Sequence, residues 1–157
     1  MKPTFFACLL ITLICGCQFF DIKRVSSEDI ELASSWNDAD QAPNFSECES
    51  IEDSEHQKTC FETIISDAIL NYIKQNPLES SVPLQQEVHL TLRIDNKGAF
   101  SLERVNFSDD LKEAIPNLEE TLQTAVSYIP KAFPAVKTNV GVFVATEFTL
   151  PIMIYTH

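Results

Sequence analysis

Glycine is scarce in this chain: Gly16, Gly98 and Gly141 are the whole supply. A phosphate-cradling loop needs clustered glycines so that backbone N–H groups can approach an anion, and loops of that kind are excluded. The Gly-x-Ser-x-Gly nucleophile elbow is excluded with them. Histidine is equally sparse. His56, His89 and His157 stand far apart, which gives neither the ligand spacing of a zinc site nor a histidine-centred triad. Positive charge is short as well. Eleven Lys and Arg face 23 Asp and Glu, for a formal net charge of −12. Such a surface repels phosphate backbones, so nucleic acid is not expected as a partner. The longest apolar run, from Phe5 to Phe20, is shorter than the roughly 18–20 residues of a membrane-spanning helix. The carboxylates read as solvated surface rather than a catalytic pair. Neither enzymatic chemistry nor a cofactor or metal is expected.

The apolar run has a second meaning. It follows a lone basic residue, Lys2, and ends in a small residue and a cysteine. That is the layout of a secretory signal. Ile14-Cys15-Gly16-Cys17 also resembles a bacterial lipoprotein cleavage box. The resemblance implies cleavage before Cys17, with residues 1–16 as signal peptide and acyl chains on Cys17. Several chains together would hold the protein stably to a membrane. The expected location is the bacterial cell envelope, outer membrane rather than inner, with the domain in the periplasm or at the cell surface. Cysteine usage fits an oxidising compartment. Cys8 and Cys15 leave with the signal and Cys17 takes lipid, so Cys48 and Cys60 remain. An even remainder in an exported protein reads as a disulfide. Two free thiols or half of a metal site are the competing readings.

Hydrophobic content of 45% is enough for a core. Residues 17–42 read as tether and N-terminal arm. Gln18 to Arg24 leaves the membrane, and Ser26-Ser27 can cap a short helix over Asp29 to Ser35. Trp36, the single tryptophan, reads as a packing anchor for the arm. The acidic stretch Glu47 to Glu55 lacks the turn glycine and ligand spacing of an EF-hand and reads as a solvated loop. Phe61, Ile64, Ile65, Ala68, Ile69, Tyr72 and Ile73 recur at helical spacing, predicting a helix over Gln57 to Gln75 with Cys60 in its first turn and Pro77 as its stop. After a polar loop from Leu78 to Gln86 the period becomes two, with Val88, Leu90, Leu92 and Ile94 on one face. Asp95-Asn96-Lys97-Gly98 is a hairpin turn in which Gly98 can adopt the left-handed conformation. Phe100 and Leu102 continue on the return strand. The shift at Arg104 to Phe107 suggests a bulge or the strand end. Ser108 can cap a short turn. A stripe from Leu111 to Ile129 predicts a second helix with Pro116 in its first turn. Val142 to Ile154 reads as one long strand that Pro151 demotes to an edge.

The order is helix, strand, strand, helix, strand. It predicts an α+β fold: a three-stranded antiparallel sheet, first strand central, covered on one face by two helices, with an N-terminal arm. This order and several strings resemble the C-terminal domain of the TonB family, particularly the versions in Bacteroidetes-type bacteria. Leu90-Thr91-Leu92-Arg93-Ile94-Asp95-Asn96-Lys97-Gly98 resembles that family's first strand and turn. Ile129-Pro130-Lys131-Ala132-Phe133-Pro134-Ala135 resembles the crossover after its long helix, and Phe148-Thr149-Leu150-Pro151-Ile152 its closing strand. The resemblance covers Pro43 to Ile154 and gives a domain over residues 43–157. The family's glycine before the first strand is replaced by Gln85-Gln86-Glu87. A lipid site and a short arm stand where the family's energy transducers have a spanning helix and a long Pro-rich spacer. The resemblance implies a non-catalytic protein-interaction module. Its partner would be an envelope protein whose strand adds to the last edge at Thr146, Phe148, Thr149, Leu150 and Ile152. A small-ligand or cell-wall-binding lipoprotein, or an accessory of an envelope transport complex, is the alternative.

Overall fold

The computed structural model describes residues 36–37, 39–80 and 82–156. The signal run, Cys17, the tether and the helix expected over Asp29 to Ser35 lie outside these residues. Helix α1 spans Ser54–Gln75. It starts three residues before the expected Gln57 because the Asp53 carboxylate accepts the His56 amide at 2.8 Å. Glu55 in the first turn adds a favourable charge at the positive end of the helix dipole. Cys60 therefore falls in the second turn rather than the first. Phe61, Ile65, Ile69 and Ile73 recur every four residues and form the buried face.

Strands β1 (Gln85–Ile94) and β2 (Phe100–Asn106) form the expected hairpin. The first residues of β1 lie in the stretch that the sequence reads as loop. They are strand because Gln85, Gln86 and Glu87 pair with Tyr155, Ile154 and Met153, a partner that local pattern does not reveal. The Asp95 carboxylate accepts the amides of Lys97 and Ala99 at 2.8 and 2.9 Å, and Gly98 has φ 79°. The amides of Ala99 and Lys97 hold the Asp95 carboxyl below the usual carboxylate range. The alternation shift is a bulge. Thr91 opposes Arg104 while Leu92 opposes Leu102, which leaves Glu103 as the extra residue. The bulge returns Val105 and Phe107 to the core side, where they pack with Phe100 and Leu102.

The second helical stripe is divided in two, a correction to the single helix. Helix α2 (Asp109–Ala114) is capped by Ser108, whose hydroxyl accepts the Leu111 amide. Helix α3 spans Leu118–Val126. Pro116 lies between them, outside either helix. It disfavours the helical region at the preceding residue, and Ile115 sits at φ −133°, ψ 78°. The final strand is divided as well. Short strands β3 (Ala135–Lys137) and β4 (Val142–Val144) pair with each other, and β5 (Thr146–Tyr155) pairs with β1.

The main sheet has the order β2-β1-β5 and is antiparallel, with β1 central and β5 at an edge. This is the α+β class expected, with one helix more and a second small sheet. Val88, Leu90, Leu92 and Ile94 of β1 are fully buried. They join the buried face of α1, α3 and the inner residues of β5 in one apolar cluster. Among the described residues, no helix is long and apolar enough to cross a membrane.

The crossover after α3 docks on the first hairpin. The Ala132 amide donates to the Gly98 carbonyl at 3.0 Å, and a Cβ on Gly98 would lie 1.8 Å from the Ala132 oxygen. We expect Gly98→Ala to lose about 1–2 kcal/mol from the left-handed backbone alone, and more from the displaced Ala132 carbonyl. Urea unfolding followed by circular dichroism measures this, and unchanged stability would show that the two segments do not touch.

Candidate functional site

The end of the N-terminal arm, together with residues 43–48 that continue it and are counted with it from here on, is fixed at three levels. Its backbone pairs with the crossover: Gln41 exchanges two hydrogen bonds with Val136, at 3.0 and 2.9 Å, and Asn44 two with Phe133, at 3.1 and 2.7 Å. Its side chain Phe45, 3% exposed, plugs the core beside Phe61 and Phe100, with ring centroids 5.1 and 6.0 Å away. A disulfide then joins Cys48, in a 3-10 turn over Ser46–Cys48, to Cys60 on α1. The loop it closes is short, so the cross-link is worth about 3 kcal/mol in the chain-entropy view.

A buried ion pair holds the start of the arm. Lys137 Nζ lies 3.0 Å from Asp40 Oδ2, and the lysine is 5% exposed. Asp40 also accepts the amides of Asn37 and Thr138, at 2.9 and 3.0 Å, and the Thr138 hydroxyl at 3.3 Å. Burial pushes this carboxyl up, but the Asn37 amide, the Lys137 ammonium and the Thr138 amide outweigh it and hold it below its ordinary 3.8. Trp36 lies with its ring centroid 4.9 Å from Lys137 Nζ. The sequence reads this residue as a packing anchor, but it stays outside the core and half exposed, resting beside the Lys137 ammonium.

The arm's pairing decides what happens to β5. Among the described residues, β5 is hydrogen-bonded to β1 alone, and the arm does not cover its outer edge. Pro151, opposite His89, fits an edge strand with its nitrogen turned away from the neighbour. Alternation then turns the main-chain groups of Glu147 and Thr149 outward, and those of Phe148 and Leu150 toward β1.

A groove of about 680 Å³ opens beside the first residues of this edge. Three elements wall it: Trp36 and Pro43 from the arm, Phe61 from α1, and Thr146 and Phe148 from β5. Phe61 and Phe148 approach to 5.8 Å between centroids. Glu147 and Arg93, from the other face of the sheet, also line it, so the groove wraps the edge. The charges at its rim pair with one another. Lys58 lies 3.7 Å from Glu62, and Arg93 3.8 Å from Glu147. These exposed pairs add little stability, but they leave the rim balanced in a strongly acidic chain.

The five expected partner-binding residues separate by face. Thr146 and Phe148 line the groove, and Thr149 is exposed on the opposite face. The side chains of Leu150 and Ile152 are buried in the core, at 2% and 4% exposure, and their main-chain groups turn toward β1, so these two expected residues offer a partner neither. Cys17 lies outside the described residues. Sequence reading did not single out Phe61, Pro43 or Lys137 for the site; Phe61 carries only a core signal, and Lys137 none. The acidic stretch is partly ordered, since Glu47 falls in the 3-10 turn and Glu55 in α1. Among the described residues, no three His, Cys, Asp or Glu side chains group as metal ligands.

No family model, curated protein or solved structure matches the chain.

The Asp40 carboxylate gives the arm a pH dependence. A depressed folded pKa contributes stability that is complete above the ordinary value of 3.8 and lost as pH falls through the folded value. We expect Trp36 fluorescence to stay constant from pH 7 to about 4.5 and to change with a midpoint below 3.8. Asp40→Asn, which removes the carboxylate 3.0 Å from Lys137 Nζ, should shift the emission at neutral pH and remove that transition. An unchanged titration in the variant would separate Trp36 from the pair.

Proposed function

We propose that this protein is a lipid-anchored, non-catalytic interaction module of the bacterial cell envelope, whose β5 edge accepts an extended strand of a partner protein. The β5 edge, unpaired among the described residues and opening onto a walled groove, is the observation that carries this reading. Main-chain groups on such an edge supply hydrogen bonds that any extended segment can use, and an adjoining groove supplies selectivity for its side chains. The resemblance of Leu90 to Gly98 and Phe148 to Ile152 to the TonB C-terminal domain supports the same site. The Cys17 anchor would keep the module at a membrane, where a strand from an envelope protein is within reach.

One observation favours a second reading. The groove volume falls within the ~300–1,000 Å³ common for small-molecule sites, which suits a small-ligand or cell-wall-binding lipoprotein. The two readings differ at Thr149, which faces away from the groove but lies on the edge.

A photocrosslinking residue at Thr149, in cells fed a fatty-acid analogue, tests the proposal. We expect a protein adduct in the membrane fraction, carrying the fatty-acid label. Cys17→Ala should lose the label and leave the membrane fraction. Absence of any adduct at Thr149 would overturn the strand reading, and label persisting in Cys17→Ala would overturn the anchor.

A further inference from the structure

Thr146 is the one residue on the inner face of β5 that does not suit it. The register places it opposite Ile94, in line with Phe148, Leu150, Ile152 and Ile154. Its Oγ1 is shut off from solvent and has no hydrogen-bond partner. A buried hydroxyl without a partner is rare, because losing water without a replacement is costly. Valine has nearly the same shape and would avoid that cost. The hydroxyl sits where the apolar stripe of the sheet runs out of the core and becomes the wall of the groove. Rotation about χ1 to another staggered position is the movement by which this hydroxyl would meet an occupant of the groove.

The rest of the wall restricts what that neighbour can be. Phe61, Phe148 and Trp36 place three aromatic side chains in its lining, with Pro43 beside them, and such a lining favours an aromatic occupant in an offset or edge-on arrangement. The rim cations and acids are paired with one another, so nothing there balances a charged tip. The occupant that satisfies both conditions is a neutral ring with one polar group at its end. We propose that the groove is a tyrosine pocket: the strand that adds to β5 carries a tyrosine whose ring packs against the touching pair Phe61 and Phe148 and whose hydroxyl pairs with Thr146. This inference rests on the strand-accepting reading of β5 and names the side chain that sets its specificity. A strand paired with Glu147 and Thr149 places alternate side chains on the inner face, beside the groove mouth.

Two small probes separate the pocket from the edge. p-Cresol carries the tyrosine side chain and toluene the phenylalanine side chain, and neither can form a strand. Titrated into the folded protein and followed by NMR, p-cresol should shift the signals of Phe61, Thr146 and Phe148. It should bind about 3–10-fold more tightly than toluene, the factor expected of one net hydrogen bond. Thr146→Val should remove that preference while toluene binding persists, and Thr146→Ser should restore it. Thr146→Val should also fold at least as stably as the parent, so loss of preference cannot be attributed to unfolding. Equal binding of the two probes, or shifts elsewhere because another segment or a second copy fills the groove, would overturn the pocket while leaving Thr149 adducts to support the strand. The peptide recovered from those adducts should carry tyrosine within a few residues of the cross-link. Its absence, or the absence of adducts altogether, would overturn the proposal.

Discussion

Four main-chain hydrogen bonds between residues 41–44 and 133–136 commit the N-terminal arm to the crossover. Everything proposed for this protein depends on that commitment. An arm of the same length laid along β5 would satisfy the edge internally and close the groove. Pairing with the crossover instead leaves β5 with a single neighbour among the described residues. It also turns the arm from a cover into a wall. Phe45 and the Cys48–Cys60 disulfide hold the far end of that wall against α1, and the Asp40–Lys137 pair holds the near end.

These fixings differ in kind. The Phe45 plug draws on apolar burial, on the order of 2–3 kcal/mol for a side chain of this size. The disulfide acts largely by restricting the unfolded chain. The ion pair adds direction more than strength, since two buried charges must give up water before they attract. Its four acceptor contacts at Asp40 leave the carboxylate satisfied, and the geometry sets where the ring of Trp36 lies. One end of the arm is thus placed by charge and the other end by packing.

The elements with a strong period were legible in the sequence. The α1 stripe, the β1 alternation and the Asp95–Gly98 turn each follow from local chemistry, and so does the edge position that Pro151 imposes. The Cys48–Cys60 link followed from counting cysteines. Other features depend on distant partners and leave no local signal. The small β3–β4 sheet has only three residues a strand, and its second strand runs into β5 with only Ala145 between them, so the pattern reads as one strand. Pro116 marks a break, but the stripe on both sides of it continues across the gap, since α2 and α3 bury toward the same core. Lys137 reads as a surface lysine because its counter-ion lies 97 residues upstream. The candidate site was half visible: the edge strand could be read, but the groove requires the path of the arm, which only tertiary pairing fixes.

Amide hydrogen exchange along β5 tests the central claim, a free outer edge on a strand whose other edge is paired. Phe148, Leu150 and Ile152 should exchange slowly, with their N–H groups donated to β1, while Glu147 and Thr149 exchange orders of magnitude faster. Equal protection of Glu147 and Thr149 in the isolated protein would mean that the edge is already covered, and would contradict the role assigned to it.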